Sequence, residues 1–438
     1  MKVHNWNKYP VADANFKSFD NASNLPFDSK YIVRGNGRCY GDSSLNNNIL
    51  SSLRFNKALA FDVESGIFTC QSGMTLDQIL QIVVSKGWFI PVTPGTKFIT
   101  IGGAIASDVH GKNHHFEGSF KNHLVSFNLL TANGEISTCS ATENPILFET
   151  TCGGMGLTGV ILEVSFQLKK IESAYITQKS IKVRNLDEMI DLFNENQHVT
   201  YSVSWIDCLT GGKSKGRGLL NLGEHAKLSE ISDKQRLTAL APHPTKGITF
   251  PIDLPSFSIN KLTVKAFNTL YYHKQTSKIK EFVSHYDPFF YPLDAILEWN
   301  KVYGKKGFLQ YQFVLPLETS AQGLNIILDK IREYGQSSPL IVLKLFGKQE
   351  DFISFPMEGY TLALDFPIRK GLFEFLNEVD RIILDLGGRL YLTKDARMSP
   401  ETFMKGYPNA QEFIDRIKEY NPDFKFESWQ SKRLNITK

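Results

Sequence analysis

Long apolar runs are missing from this chain of 438 residues: nothing approaches the ~20 consecutive apolar residues that a membrane-spanning helix requires. Residues 1–30 likewise hold no continuous apolar segment of the secretory kind. The expectation is a soluble protein with at most peripheral membrane contact. Cysteine is scarce as well. Cys39, Cys70, Cys139, Cys152 and Cys208 make an odd set at long spacings with no CxxC. Such a set argues against a disulfide framework or a zinc site and for free thiols in a reducing, cytoplasmic compartment. Charge of one sign is lacking too. The net charge of +4 comes from 49 Lys and Arg interspersed with 45 Asp and Glu, which falls short of the clustered footprint of a nucleic-acid binder. There is no internal repeat and no low-complexity tract. What remains is an ordinary globular composition, long enough for two or three domains at ~100–200 residues each.

Glycine, by contrast, is concentrated where chemistry needs it. Pro94 to Ser119, PGTKFITIGGAIASDVHGKNHHFEGS, sets Gly95, Gly102 and Gly103 around a short β-branched run, followed at once by His110, Lys112, Asn113, His114 and His115. Glycines let the backbone approach a ligand and turn several N–H groups toward one anion. A phosphate cradle beside proton-handling side chains fits a cofactor site with a reaction next to it; a plain turn between strand and helix has the same composition. The first glycine loop in chain order, Arg34-Gly35-Asn36-Gly37-Arg38-Cys39-Tyr40-Gly41-Asp42, follows the short strand expected at Tyr31–Val33. Its two arginines suit a diphosphate, although a surface hairpin is the simpler alternative. The third, from Cys152 to Ile161, matches GxGxxG at Gly154, Gly156 and Gly159. Here the helix-like segment Pro145–Thr151 precedes the glycines and a strand follows, the reverse of a Rossmann unit, so that reading fails.

Between the loops, periodicity predicts a hairpin over 59–71, an amphipathic helix from Met74 to Lys86, and a hairpin turning at Asn133-Gly134. From about residue 175 glycine clusters thin out and aromatic strands alternate with amphipathic helices. Residues 211–257 read as long surface loops, and Arg389 to Asp395 as a polar-ended strand. A metal site on His110, His114 and His115 would need a helix that Gly111 and Asn113 oppose, so no metal is expected.

RGNGRCYGD, PGTKFITIGGAIASDVHGKNHH and CGGMGLTGVI together resemble the FAD-binding oxidoreductases of the vanillyl-alcohol oxidase (p-cresol methylhydroxylase) fold. Within them the chain is most similar to the decaprenylphosphoryl-β-D-ribose 2-oxidase branch. The likeness spans nearly the whole chain and includes Ser204–Asp207, Trp299-Asn300, Gly307–Phe313, Lys344–Gly347, Asp365–Pro367 and Gly387–Tyr391 running on to Lys394-Asp395. It implies an α+β fold with an FAD-binding domain over 1–174, a substrate domain over 175–388 with a mainly antiparallel sheet flanked by helices, and a C-terminal return over 389–438. It implies FAD contacts from Val33, Arg34, Gly35, Asn36, Gly37, Arg38, Cys39, Tyr40, Gly41, Asp42 and Ser43, and from Gly95, Thr100, Ile101, Gly102 and Gly103. Ser107, Asp108, Val109, His110, Ile161 and Tyr391 complete that set. Many relatives on this fold link FAD covalently through a histidine of the first loop; Arg38 stands there in this chain, so a non-covalent flavin is implied. Where a member of the branch carries a cysteine near the flavin, this chain has Ala363.

The activity implied is oxidation of the C2 hydroxyl of a polyprenylphosphoryl-ribose, with a separate NADH-dependent reductase of the 2-keto sugar as partner. An oxidase of free alditols or aldonolactones, and a non-catalytic anion-binding module, are the competing readings. Substrate positions would be Lys112, Tyr303, Gln310, Gln312, Lys344 and Lys394. Alternation places Gln310 and Gln312 on one face of a strand, where two amides suit sugar hydroxyls or merely solvent. Lys394 is the expected cation beside the flavin, against a plain surface ion pair. Tyr40 and His110 are the expected acceptors or relays of the hydroxyl proton, and for His110 a packed role stays open.

Overall fold

The computed structural model describes residues 1–25, 29–244, 247–255, 257–336, 339–349 and 352–438. Short alternating strands of the first third build an antiparallel five-stranded sheet in the order Ile136–Cys139, Leu124–Thr131, Gly159–Gln167, Ile67–Gln71, Ala58–Asp62. A small parallel sheet of Asn15–Ser18, Asn48–Ser51 and Ile32–Arg34 stands beside it and delivers the chain into the first glycine loop. The helix Leu76–Val83 starts on a Thr75/Gln78 capping box and buries Leu76, Ile79, Leu80 and Val83, the stripe its 3.6-residue spacing predicts. The expected hairpins and the helix Pro145–Thr151 are all present.

The second large sheet has eight strands: Ile279–His285, Tyr175–Val183, Gly218–His225, Tyr201–Ile206, Ile341–Phe346, Gly359–Pro367, Phe308–Pro316 and Arg389–Leu390, in that spatial order. Every pairing in it is antiparallel. The helices Leu317–Tyr334 and Leu372–Asp385 bury Leu324, Ile327, Leu328 and Ile331 and Leu376, Val379 and Ile383 in the same core as its strands. Its remaining face turns toward the glycine loops.

Two expectations change. The supposed loop region 211–257 contains the strand Gly218–His225, paired on both sides with Tyr175–Val183 and Tyr201–Ile206. Its apolar alternation, Leu220 and Leu222, was masked by the glycines and lysines around it. Of the strand expected over 389–395 only Arg389–Leu390 pairs, with Val314 and Phe313. The chain then tightens into the 3-10 turn Leu392–Lys394, closed by Lys394 N–H to the Tyr391 carbonyl at 3.0 Å. The described residues of the lead before Tyr31 carry structure of their own. Lys2–His4 and Val11–Asp13 pair, while buried Asn5 and Asn7 donate to the carbonyls of Gly41 (2.8 Å) and Phe308 (3.0 Å). The last residues pack back on the first fifty: Glu427 N–H reaches the Tyr31 carbonyl (2.8 Å) and Trp429 N–H that of Leu45 (2.8 Å).

Candidate active site

A cavity of about 740 Å³ lies between the glycine loops and the free face of the eight-stranded sheet. All three loops reach it: the first through Gly35 to Tyr40 and Ser43, the second from Thr93 to Lys112, the third through Met155, Gly156 and Gly159, with Ile161 beyond. The first two loops touch. A Cβ on Gly35 would stand 2.2 Å from Thr100 Oγ1, so only glycine allows the approach. The first loop is also tied to the far end of the chain, because Tyr40 N–H donates to the Thr393 carbonyl at 3.0 Å. That bond brings the turn bearing Lys394 alongside Tyr40.

Antiparallel register assembles the opposite wall. Gln310 lies across from Asp365, and Gln312 across from Ala363, which in turn faces Val342, two residues before Lys344. All of these side chains line the cavity, the alternation expected of Gln310 and Gln312 included. Gln310 Nε2 donates to Asp365 Oδ1 at 2.8 Å, and the Tyr303 hydroxyl to Oδ2 at 3.0 Å. Gln312 Nε2 lies 3.0 Å from His110 Nε2, and His110 Nδ1 is buried with no protein partner among the described residues. Lys394 Nζ sits 3.8 Å above the centre of the Tyr40 ring. Lys112 Nζ donates to the carbonyls of Phe289 (2.7 Å) and Phe290 (3.1 Å).

Val33, Gly95, Thr100, Gly102, Gly103, Ser107, Val109 and Tyr391 also reach the cavity wall. Arg34, Gly41, Asp42, Ile101, Asp108 and Tyr303 stand behind it. Arg34 donates to the His4 carbonyl (2.8 Å) beneath Gly37. A Cβ on Gly41 would meet the Asp395 carbonyl. Asp42 is held by Arg433, which also grips Asp395 (2.8 Å). Ile101 lies in the core, Asp108 accepts from the Ser119 hydroxyl (2.7 Å), and Tyr303 is stacked on Phe308. The three histidines are directed to separate partners: His110 to Gln312, His114 to Gln349 and His115 to the Val199 carbonyl. No trio of His, Cys, Asp or Glu among the described residues stands at ligand geometry.

A family model described as an FAD binding domain matches residues 26–140. The decaprenylphosphoryl-β-D-ribose oxidase of Mycolicibacterium smegmatis is 38% identical over 411 residues, which is 92% of this chain and 89% of that protein. The chain belongs to the decaprenylphosphoryl-ribose oxidase family. Two solved structures share its fold over 91% of this chain and 85% of theirs. They are the xylooligosaccharide oxidase of Myceliophthora thermophila in complex with xylobiose (TM-score 0.64, 14% identity) and a BBE-like protein of Physcomitrella patens (TM-score 0.63, 13% identity). The fold is α+β, of the vanillyl-alcohol oxidase type, and the cofactor of this family member is FAD.

The residues present fit that cofactor. The N–H groups of Gly35, Asn36, Gly37, Arg38 and Cys39 have no acceptor in the protein among the described residues, a ready cradle for a diphosphate. A Cβ on Gly95 would project into open cavity space. The Arg38 guanidinium sits over the Trp6 ring (4.0 Å) with its buried Nε unpartnered among the described residues.

Electrostatics revise the expected roles. Burial, with Asp365 adding to it, raises the Tyr40 hydroxyl far above its usual range. Burial, then the charges of Lys344, His114 and Lys394, keeps His110 well below its ordinary value. Neither side chain is poised to exchange a proton near neutrality. Two others are. Burial lowers Lys394 to about 7, partly opposed by Asp365. Burial raises Asp365 to about 6 against the bonds from Gln310 and Tyr303. Asp365 escaped the residue-level reading, although a lone carboxylate in the apolar run Leu362–Pro367 is itself a signal. Trp6 and Asp294, also on the cavity wall, had none.

Proposed function

We propose that this family member oxidises the C2 hydroxyl of a polyprenylphosphoryl-β-D-ribose to the 2-keto sugar. A separate NADH-dependent reductase then completes the epimerisation to the arabinose derivative, at the cytoplasmic face of the membrane. The observation that carries the substrate class is a pair of desolvated lysines. Burial lowers Lys112 to about 7, with Lys344 repelling it, and lowers Lys344 to about 8. Lys112 spends two donors on carbonyls, leaving one for a ligand. An anionic phosphodiester between the two would restore both charges; a neutral alditol or lactone gives them nothing. The named relative supports the same choice.

FAD, when bound, supplies the hydride acceptor at N5. Gln310 and Gln312 present two amides from one strand face to the ribose hydroxyls. Lys394 takes the proton that leaves the C2 oxygen, since its amine is half neutral near pH 7. The ammonium so formed is held by Asp365 and leaves a positive charge in the pocket, where negative charge accumulates as the alcohol is oxidised. Tyr40, pinned under Lys394, positions that amine, and neutral His110 orients Gln312. Non-covalent FAD follows from Arg38, whose guanidinium lacks the nucleophilic imidazole nitrogen that makes the link.

The test is anaerobic bleaching of the flavin absorbance of the holoenzyme. Farnesylphosphoryl-β-D-ribose is expected to bleach it and yield a 2-keto product by mass spectrometry. Bleaching by xylitol or an aldonolactone alone would overturn the reading, and a purified protein without flavin absorbance would favour a non-catalytic anion binder.

A further inference from the structure

The helix Lys261–Lys274 packs on the protein through Val264, Asn268 and Tyr272, at spacing i, i+4, i+8. Its outward face is apolar where a surface helix is ordinarily polar. Leu262 is 79% and Leu270 74% exposed, and Phe267 and Tyr271 are exposed beside them, stacked at 5.7 Å. Phe257, just before the helix, is 72% exposed. At 100° per residue Leu262, Ala266 and Leu270 form one row and Phe267 and Tyr271 a second, together a wide stripe on the solvent side. A mainly apolar stripe of this width, interrupted on the helix by Thr263, His273 and Lys274, marks an interaction surface.

Two further features say what covers it. From Pro255 to Lys280 the sequence has five lysines (261, 265, 274, 278 and 280) and no Asp or Glu; among the described residues Lys278 alone of these is paired to a carboxylate, that of Glu188. The stripe is also continuous with the cavity: Phe267 and Tyr271 line its wall with Trp205, Pro339 and Leu340, and Tyr271 meets the Trp205 ring at 4.7 Å. An apolar helical face rimmed with lysines is the composition of a helix lying in the headgroup layer of an anionic bilayer. A second copy of this chain fits poorly, because a two-fold contact would set lysine rim against lysine rim.

We propose that this helix seats the protein on an anionic lipid surface and opens the cavity toward it, so that a lipid-linked substrate passes from bilayer to active site along Leu262, Leu270, Phe267 and Tyr271. The route for the substrate rests on the reading given above; the docking does not.

Flotation of the holoenzyme with vesicles of phosphatidylcholine, with and without phosphatidylglycerol, tests it. Binding is expected on the mixed vesicles and to weaken with salt. The Leu262→Ser/Leu270→Ser double variant should bind about tenfold more weakly or worse, and Lys261→Glu/Lys265→Glu should lose the preference for phosphatidylglycerol. Both should keep the flavin spectrum and the turnover of a short-chain, water-soluble polyprenylphosphoryl-ribose, while losing turnover of a long-chain one embedded in vesicles. Equal flotation of wild type and the leucine variant overturns the docking. So does absence of wild-type binding, or a dimer in sedimentation that the leucine variant abolishes. Vesicle binding without turnover of either substrate would instead sink the substrate reading and leave the docking standing.

Discussion

Replacing Asp365 with asparagine isolates the charge that Lys394 depends on. In the wild type the carboxylate favours the ammonium form of Lys394 and holds its pKa up at about 7 against burial. The amine accepts the proton only when neutral, so the rate of flavin reduction should rise with pH through about 7. Asparagine keeps one carbonyl acceptor for the Gln310 amide (2.8 Å) or the Tyr303 hydroxyl (3.0 Å) but removes the negative charge. The midpoint must then move to lower pH. Taking the lost charge as worth roughly one pKa unit, about 1.4 kcal/mol, the fraction of neutral amine at pH 6 rises by at most about fivefold, less for the share of wild-type Asp365 already protonated there. Below pH 6 the contrast closes, because Asp365 itself takes up a proton at about 6 in the wild type. The assay is stopped-flow flavin reduction across pH 5.5 to 9, read as the position of the limb, since loosened amides lower its height in either case. A wild-type rate that falls as pH rises through 7, or a limb that stays put or moves alkaline in Asp365→Asn, would refute the assignment of Lys394 as proton acceptor.

Gly35→Ala forces a Cβ to within 2.2 Å of Thr100 Oγ1, so the first two loops must part. FAD affinity measured by titration should fall about tenfold, from an overpacking cost of about 1–3 kcal/mol, and Thr100→Ala should restore part of it. Acid precipitation should release all the yellow colour into the supernatant, because Arg38 cannot form the histidyl link; colour in the pellet would contradict this. Arg433→Ala leaves the carboxylates of Asp42 and Asp395 buried together without their shared partner (2.7 and 2.8 Å). That should cost about 3–5 kcal/mol in denaturant unfolding, with the loss largest in flavin-free protein. Lys112, Lys344 and Lys394 have folded values of about 7, 8 and 7, below the ~10.4 of an unfolded lysine. Groups lowered in this way add stability at high pH that is lost as pH falls through the folded values. Flavin-free protein should therefore gain stability from pH 7 to 10, and a phosphodiester ligand should flatten that rise.

Features written into a few neighbouring residues were legible in the sequence. The glycine loops, the reversed order around the third of them, the helix Pro145–Thr151 and the shared face of Gln310 and Gln312 all follow from backbone chemistry or a two-residue period. Gly218–His225 was not, because its short apolar alternation sits among glycines and lysines and becomes a strand only between two others. The segment after Leu390 reads as extended, yet it turns at Tyr391, where the pairing with Phe308–Pro316 runs out and Lys394 swings toward Tyr40. Proton affinities were the least legible of all. His110 carries the side chain chosen for work near neutral pH, and Lys394 and Asp365 do not. Desolvation by residues hundreds of positions away reverses that order, because the cost of burying a charge is set by what surrounds it in space. The amino-acid order alone determined the glycine loops that line the cavity; the packing of the two sheets decided the proton affinities of the side chains in the pocket.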